Sequence, residues 1–492
     1  MEELTVKNKT LKSWSDTWLV EATIDQLQAK MEAGTLTARD LVLMYLERIA
    51  TYDKRGPKIN SVLELNPDAL QIAEALDHER RTKGTRGPMH GIPVLLKDNI
   101  DTGDKMHTSA GSLALADHTA KEDAVLARKL REAGAILLGK LNMTEWANYM
   151  TNRMPSGYSS RGGQTKNPYR GDYLVGGSSS GSGAAVAANF ATVTVGTETA
   201  GSILYPASAN ACVGIKPTVG LISRRGVIPI AHSQDTPGPM ARTVADAAIL
   251  LNALAGADEL DPITRTSVGQ AAADYTQFLD ADALKGKRIG VVREFFKKID
   301  AEHQELMEAA FEAMRDAGAE VFDVELPSAN ADWDHDVLKY EYKVDLNAYL
   351  ANCGPQVPVH SLRELIAYNM AHPDSLLKYG QTLLLASEET SGTLTEPAYI
   401  NSREKDLYLS RTAGIDPMMA EHRLDAWVFP ASWGSHIPAK AGYPSINVPA
   451  GASVEKGPVG ISFSGLAYSE GELIALAYAF EQRTQHRVPP KM

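Results

Sequence analysis

The sequence predicts an α/β fold, and three observations carry that expectation. Short apolar runs of strand length alternate with helical stretches, as where IPVLLKDNI at 92–100 is followed by DAVLARKLREAGAILLGK at 123–140. With 492 residues, 44% of them hydrophobic, the chain can close a large core without disulfide or metal staples. Patterned segments at both ends flank a less patterned, mainly helical stretch at 257–420, which predicts one main body with an inserted region. The expected division of this single domain is a core at 70–256, the variable region at 257–420 that shapes the pocket, and closing strands and a helix at 421–492.

The elements follow in order. Ile24, Leu27 and Met31 recur at helical spacing, and Thr37 with Asp40 forms a capping box ahead of Leu41, Tyr45 and Leu46. IPVLLKDNI is strand-like and delivers Lys97 and Asp98 at its end. A helix ending near Gly134 and a short strand ending near Lys140 come next. Residues 157–183 are rich in Gly, Ser, Asn and Pro, and GGSSSGSG leads into a small-residue helix, AAVAANFA. TVTVGTETAGSILYPAS reads as a strand, a turn and a small-residue segment, and TVADAAILLNALAG as a capped helix. Within the inserted region GKRIGVV is a strand, and HQELMEAAFEAMRDAGAEVFDVEL a helix followed by a strand. DAWVFPA, PSINVPAG and PVGISF are strands, and ELIALAYAFEQR closes the chain as a helix.

Composition removes several function classes. A net charge of -12, from 49 basic and 61 acidic residues, leaves no polyanion-binding surface, so nucleic acid is excluded as a partner. Cys212 and Cys353 have no metal-type spacing and are too few for a secreted disulfide framework; Cys212, among small residues, reads as a packed core thiol. The N-terminal stretch has acids at positions 2 and 3 and no apolar h-region, and no apolar run reaches membrane-spanning length. A cytoplasmic protein without a membrane partner is the expectation.

The Gly/Ser-rich loop is the segment that can carry chemistry. It lacks the Lys-Ser/Thr ending of a P-loop, and Val186 stands where a dinucleotide fingerprint needs its third small residue. Residues 177–181 formally satisfy G-x-S-x-G, but only Leu174 and Val175 precede them where a nucleophile elbow needs a buried strand. None of the twelve histidines forms H-E-x-x-H, so no catalytic metal and no cofactor are expected. A strand-end lysine such as Lys97 is ordinarily a solvated charge, and serines such as Ser178 and Ser202 are ordinarily loop or capping hydroxyls.

Four ordered motifs change that weighting: KDNI at 97–100, GGSSSGS at 176–182, GTETAGSI at 196–203 and GIKPTVG at 214–220. Together they resemble the amidase signature family, and most closely its peptide amidases. The likeness extends through TSAGS, EWAN, GGQTKNPY, SQDTPGPMARTVADAA and AGYPSINVP, and is weakest at 257–420. It implies the amidase signature fold, a central mixed β-sheet covered by helices, and an enzyme that hydrolyses carboxamides, C-terminal peptide amides foremost, without an obligate protein partner. The other readings of this scaffold are a glutaminase subunit of a transamidating complex and a silent binding protein. Carried over residue by residue, the resemblance implies Ser202 as nucleophile, Ser178 as bridging serine after a cis Gly177–Ser178 bond, and Lys97 as base. It places the oxyanion hole on the backbone N–H groups of Thr199, Ala200, Gly201 and Ser202.

The chemistry asks for such an arrangement. A serine hydroxyl needs a base to take its proton, and lysine serves only when uncharged. Burial beside Val94, Leu95 and Leu96 disfavours the ammonium, and Asp98 opposes that if it points inward. Asp235 and Arg242 read as a buried structural pair or turn element. Two departures from the family pattern carry expectations. Ala200 is strained if its turn requires positive φ, and Leu204, where many members carry arginine, predicts a more apolar acyl pocket.

Overall fold

The computed structural model describes residues 9–492. The stretch at 1–8 read for a leader therefore lies outside the described residues. The expected helices form where periodicity places them: Ile24–Glu32 buries Ile24, Leu27 and Met31, and Ala38–Arg48 starts at Thr37, whose side chain exchanges hydrogen bonds with Asp40 in a capping box. Val125–Glu132 and Val244–Leu254 are the helices foreseen after 123 and 243, the second capped by Thr243 on the Asp246 N–H. No helix among the described residues is long and apolar enough to cross a membrane.

Eleven strands make one mixed sheet. In chain order they are β1 (Val62–Leu65), β2 (Pro93–Lys97), β3 (Ile136–Leu141), β4 (Val193–Glu198), β5 (Val213–Lys216) and β6 (Thr236–Ala241). The remainder are β7 (Arg288–Val291), β8 (Glu320–Asp323), β9 (Ala426–Pro430), β10 (Ser445–Ser453) and β11 (Gly457–Ser464). Across the sheet the order is β1-β3-β2-β4-β6-β5-β10-β11-β9-β7-β8. β2 runs parallel to both β3 and β4, so its apolar run is buried on both faces and the chain leaves the sheet at Lys97 from its interior.

The region after 257 is woven into this architecture. Its strands β7 and β8 pair in parallel with each other, and β7 continues the sheet onto β9. The stretch between β8 and β9 is helical, from Asp336–Leu350 to Asp416–His422. Its helices bury Tyr342, Leu346, Leu365 and Leu384 against Trp146, Tyr149 and Met150 of the main body, forming an apolar cluster apart from the principal core.

Candidate active site

Lys97 ends β2, where side chains alternate between the two faces. Its Nζ lies 2.8 Å from Ser178 Oγ, 2.8 Å from Thr197 Oγ1 and 3.1 Å from the Thr197 carbonyl. Asp98 points away from that side: its carboxylate accepts from the Gly111 N–H at 2.9 Å and from Ser109 Oγ, and pairs with Arg161 at 3.2 Å. The adjacent acid therefore does not hold the lysine charged. Complete burial brings the Lys97 amine down to about 7, opposed by the more distant Asp235 and Glu198.

Ser178 lies in the loop that feeds helix Ser180–Ala187, and the Gly177–Ser178 peptide bond is cis. A Cβ on Gly177 would come within 2.6 Å of Thr144 Oγ1, so this close approach requires glycine. The following Ser179 stitches two loops together: its N–H donates to the Ser202 carbonyl at 3.2 Å, and its Oγ donates to the Thr197 carbonyl at 3.0 Å. Ser202 follows β4, half-buried, and Ala200 two residues earlier is exposed. Lys97 and Ser178 are thus in hydrogen-bond contact, while the Ser202 hydroxyl has no hydrogen-bond partner among the described residues.

Glu198, the last residue of β4, shapes the turn that presents Ser202. Its fully buried carboxylate accepts the N–H of Gly201 at 2.7 Å, of Ile203 at 2.6 Å and of Leu204 at 3.0 Å. Burial pushes this carboxyl up, while the N–H bonds and Lys216 pull it down. Because a backbone N–H donates one proton, that of Gly201 is already spent on Glu198, and of the four N–H groups expected to face an oxyanion this leaves those of Thr199, Ala200 and Ser202 as candidates. The positive φ of the turn falls on Gly201, at 83°, and not on Ala200, so the expected strain at the alanine does not arise.

Residues 40–474 match the Amidase family. The chain belongs to that family. It is 44% identical over 483 residues to a probable amidase of Arabidopsis thaliana, an alignment covering 96% of this chain and 91% of the relative. The native peptide amidase of Stenotrophomonas maltophilia superposes with a TM-score of 0.91 at 49% identity, covering 96% of this chain and 98% of that one. An amidase family protein of Bacillus anthracis gives a TM-score of 0.92 at 41% identity, covering 98% of this chain and 95% of that one. The protein is an amide-hydrolysing enzyme with the amidase signature fold.

In this amidase a cavity of about 390 Å³ is lined by Thr197, which bonds Lys97, and by Thr199 of the Ser202 loop. Asp235 lies on the same wall, with Val227, Ile228 and Leu260 supplying an apolar side. Asp235 accepts from Thr199 Oγ1 at 2.5 Å and from the N–H groups of Ile230 and Ala231 at 2.7 and 2.9 Å. Burial raises its carboxyl to about 6. The expected Asp235–Arg242 pair is therefore corrected in part. Asp235 is a turn element joined to the Ser202 loop, whereas Arg242 donates to the carbonyls of Ala191 at 2.9 Å and Ala22 at 2.6 Å. Leu204 is also corrected: it packs with Phe295, Trp427 and Phe429 in the core and does not line this cavity. Cys212 is fully buried, and burial pushes its thiol up to about 11. Glu198 escaped the sequence reading, and the one signal that pointed to it was an acid inside a small-residue motif, just before unpaired N–H groups at a helix start.

Proposed function

We propose that this amidase releases ammonia from carboxamides, foremost the C-terminal amides of peptides, through an ester on Ser202. The observation that carries the reading is the 2.8 Å contact with Ser178 of a fully buried Lys97, whose amine burial brings down to about 7, beside the half-exposed Ser202. Lys97 accepts a proton from Ser178 as Ser178 takes one from Ser202, whose oxygen then attacks the amide carbon. The Ser178–Ser202 hydrogen bond forms with substrate in place, since such contacts commonly tighten only in the complex. The N–H groups of Thr199, Ala200 and Ser202 stabilise the oxyanion, and the relayed proton returns to the departing ammonia. Water then opens the ester along the same path.

Likeness to the peptide amidase of Stenotrophomonas maltophilia favours peptide amides as the substrate class. A glutaminase needs an unspent cation for the substrate carboxylate, yet both arginines on the cavity wall are paired, Arg224 with Asp261 and Arg225 with Asp258. The test is incubation with a peptide amide in the presence and absence of hydroxylamine. Ammonia, a free carboxylate and a hydroxamate are expected, with all three lost in Ser202→Ala and slowed in Ser178→Ala. An acyl group trapped on Ser178 or Ser179 in mass spectrometry would overturn the assignment of nucleophile and relay.

A further inference from the structure

At the rim of the cavity, away from Lys97 and the serines, three ligand-type side chains converge. Glu341 and Asp345 lie one turn apart on helix Asp336–Leu350, and His232 reaches between them from the loop that carries Asp235. One ligand atom from each of the three lies within 4.8 Å of the others. Like charges at this helical spacing repel. Among the described residues neither carboxylate has a lysine or arginine in ion-pair range, His232 being the partner of both. The adjacent Arg224 is engaged by Asp261.

We propose that His232 Nε2 and Glu341 bind a divalent cation of the zinc class, with Asp345 as the outer carboxylate that orients the imidazole. His232 Nε2 and Glu341 Oε1 are 3.5 Å apart. Ligands on a tetrahedral zinc, with bonds of about 2.0–2.1 Å, stand roughly 3.3–3.4 Å from one another, so an ion fits between these atoms with little movement. Both Glu341 oxygens are anchored, Oε1 by the Tyr399 hydroxyl at 2.9 Å and Oε2 by the Ser233 N–H at 3.0 Å. Each retains a lone pair for a metal. Asp345 accepts at the other ring nitrogen, 2.9 Å from Nδ1, and also from the His232 N–H at 2.8 Å. That is the outer carboxylate which fixes a metal-binding imidazole. Mixed nitrogen and carboxylate donors select zinc-class ions over magnesium or calcium.

Since His232 and Asp345 line the cavity, the ion fastens the inserted helix to the loop at its rim. Zinc titrated by calorimetry into chelator-treated enzyme should bind at one site, and hydrogen exchange at 229–235 should slow when it does. Asp345→Asn should weaken binding by about 10–100-fold, and Glu341→Gln and His232→Asn at least as much. His232 is exposed, so His232→Asn keeps the test valid if Glu341→Gln fails to fold. No uptake by the wild type, or equal uptake by His232→Asn, would overturn the site.

Discussion

Around Lys97 and Asp235, the floor of the candidate site, ionisable groups are stripped of water. Lys97 is brought down to about 7 and Asp235 raised to about 6, each by burial, and each is held by hydroxyl or backbone partners rather than by a direct counter-charge. In the inserted region, partly exposed side chains pair directly with a counter-charge, as in Arg363 with Glu388 at 3.0 Å and Lys405 with Asp334 at 3.1 Å. The floor holds groups that burial shifts towards neutral pH, the kind of group proton transfer uses, whereas these two pairs hold each charge against its opposite. Substitutions at the floor should therefore strike turnover, and those at such exposed pairs of the insertion only stability.

The largest effect is expected at Ser202, where alanine should lower kcat by on the order of 10⁴-fold or more, read by ammonia release. Lys97 comes next and adds a pH signature. Its folded-state pKa is depressed to about 7, so the protonated, inactive form predominates below that value. Wild-type kcat/KM should rise roughly tenfold per pH unit below about 7 and flatten above it. In Lys97→Ala the residual rate should lose this limb, and its survival there would assign the limb to another group. Gly201→Ala should follow, with a loss of about tenfold or more. Its φ is 83°, and a new Cβ would lie 3.0 Å from Ser435 Oγ and 3.3 Å from Ser432 Cβ, displacing the turn that aims Ser202. In contrast Arg363→Ala, at an exposed pair in the insertion, should cost at most about 1 kcal/mol in denaturant unfolding and leave kcat/KM unchanged.

The same contrast explains what was legible in the sequence. The candidate site was legible because its parts sit on loops at strand ends, where ordered motifs such as KDNI and GTETAGSI keep fixed spacing. Glu198 did not, since its partners are backbone N–H groups that come together only when the turn forms. Strand β6, TPGPMA, contains Pro237 and Pro239, which argue against a strand inside a sheet. The prolines stand at alternate positions and so lack an N–H on the same flank, and β5 pairs only with Met240 and Ala241. The sequence reading put β7 and β8 in the variable region, yet they extend the main sheet, because short apolar strands give no sign of which edge they join. Asp235 and Arg242 read as a buried pair or a turn element; they stand at opposite ends of β6, so the pair does not form, while Asp235 holds its turn and each has carbonyl, hydroxyl or N–H partners.

The smallest effect, and the finest test of the floor, is at Ala200. If the oxyanion turn is shaped by Glu198 holding Gly201, Ile203 and Leu204, the residue before the glycine contributes only its N–H, and its methyl stands in solvent. Ala200→Gly keeps that N–H and relieves no strain, because the left-handed conformation belongs to Gly201. It adds freedom to the unfolded chain, costing about 0.5–1 kcal/mol in chemical denaturation. kcat should stay within about twofold of wild type. A rate gain well beyond that would mean the alanine is strained during turnover and that the turn changes conformation when substrate binds. A tenfold loss would mean the methyl itself limits how the exposed turn moves, and the floor would then be less rigid than its hydrogen bonds imply.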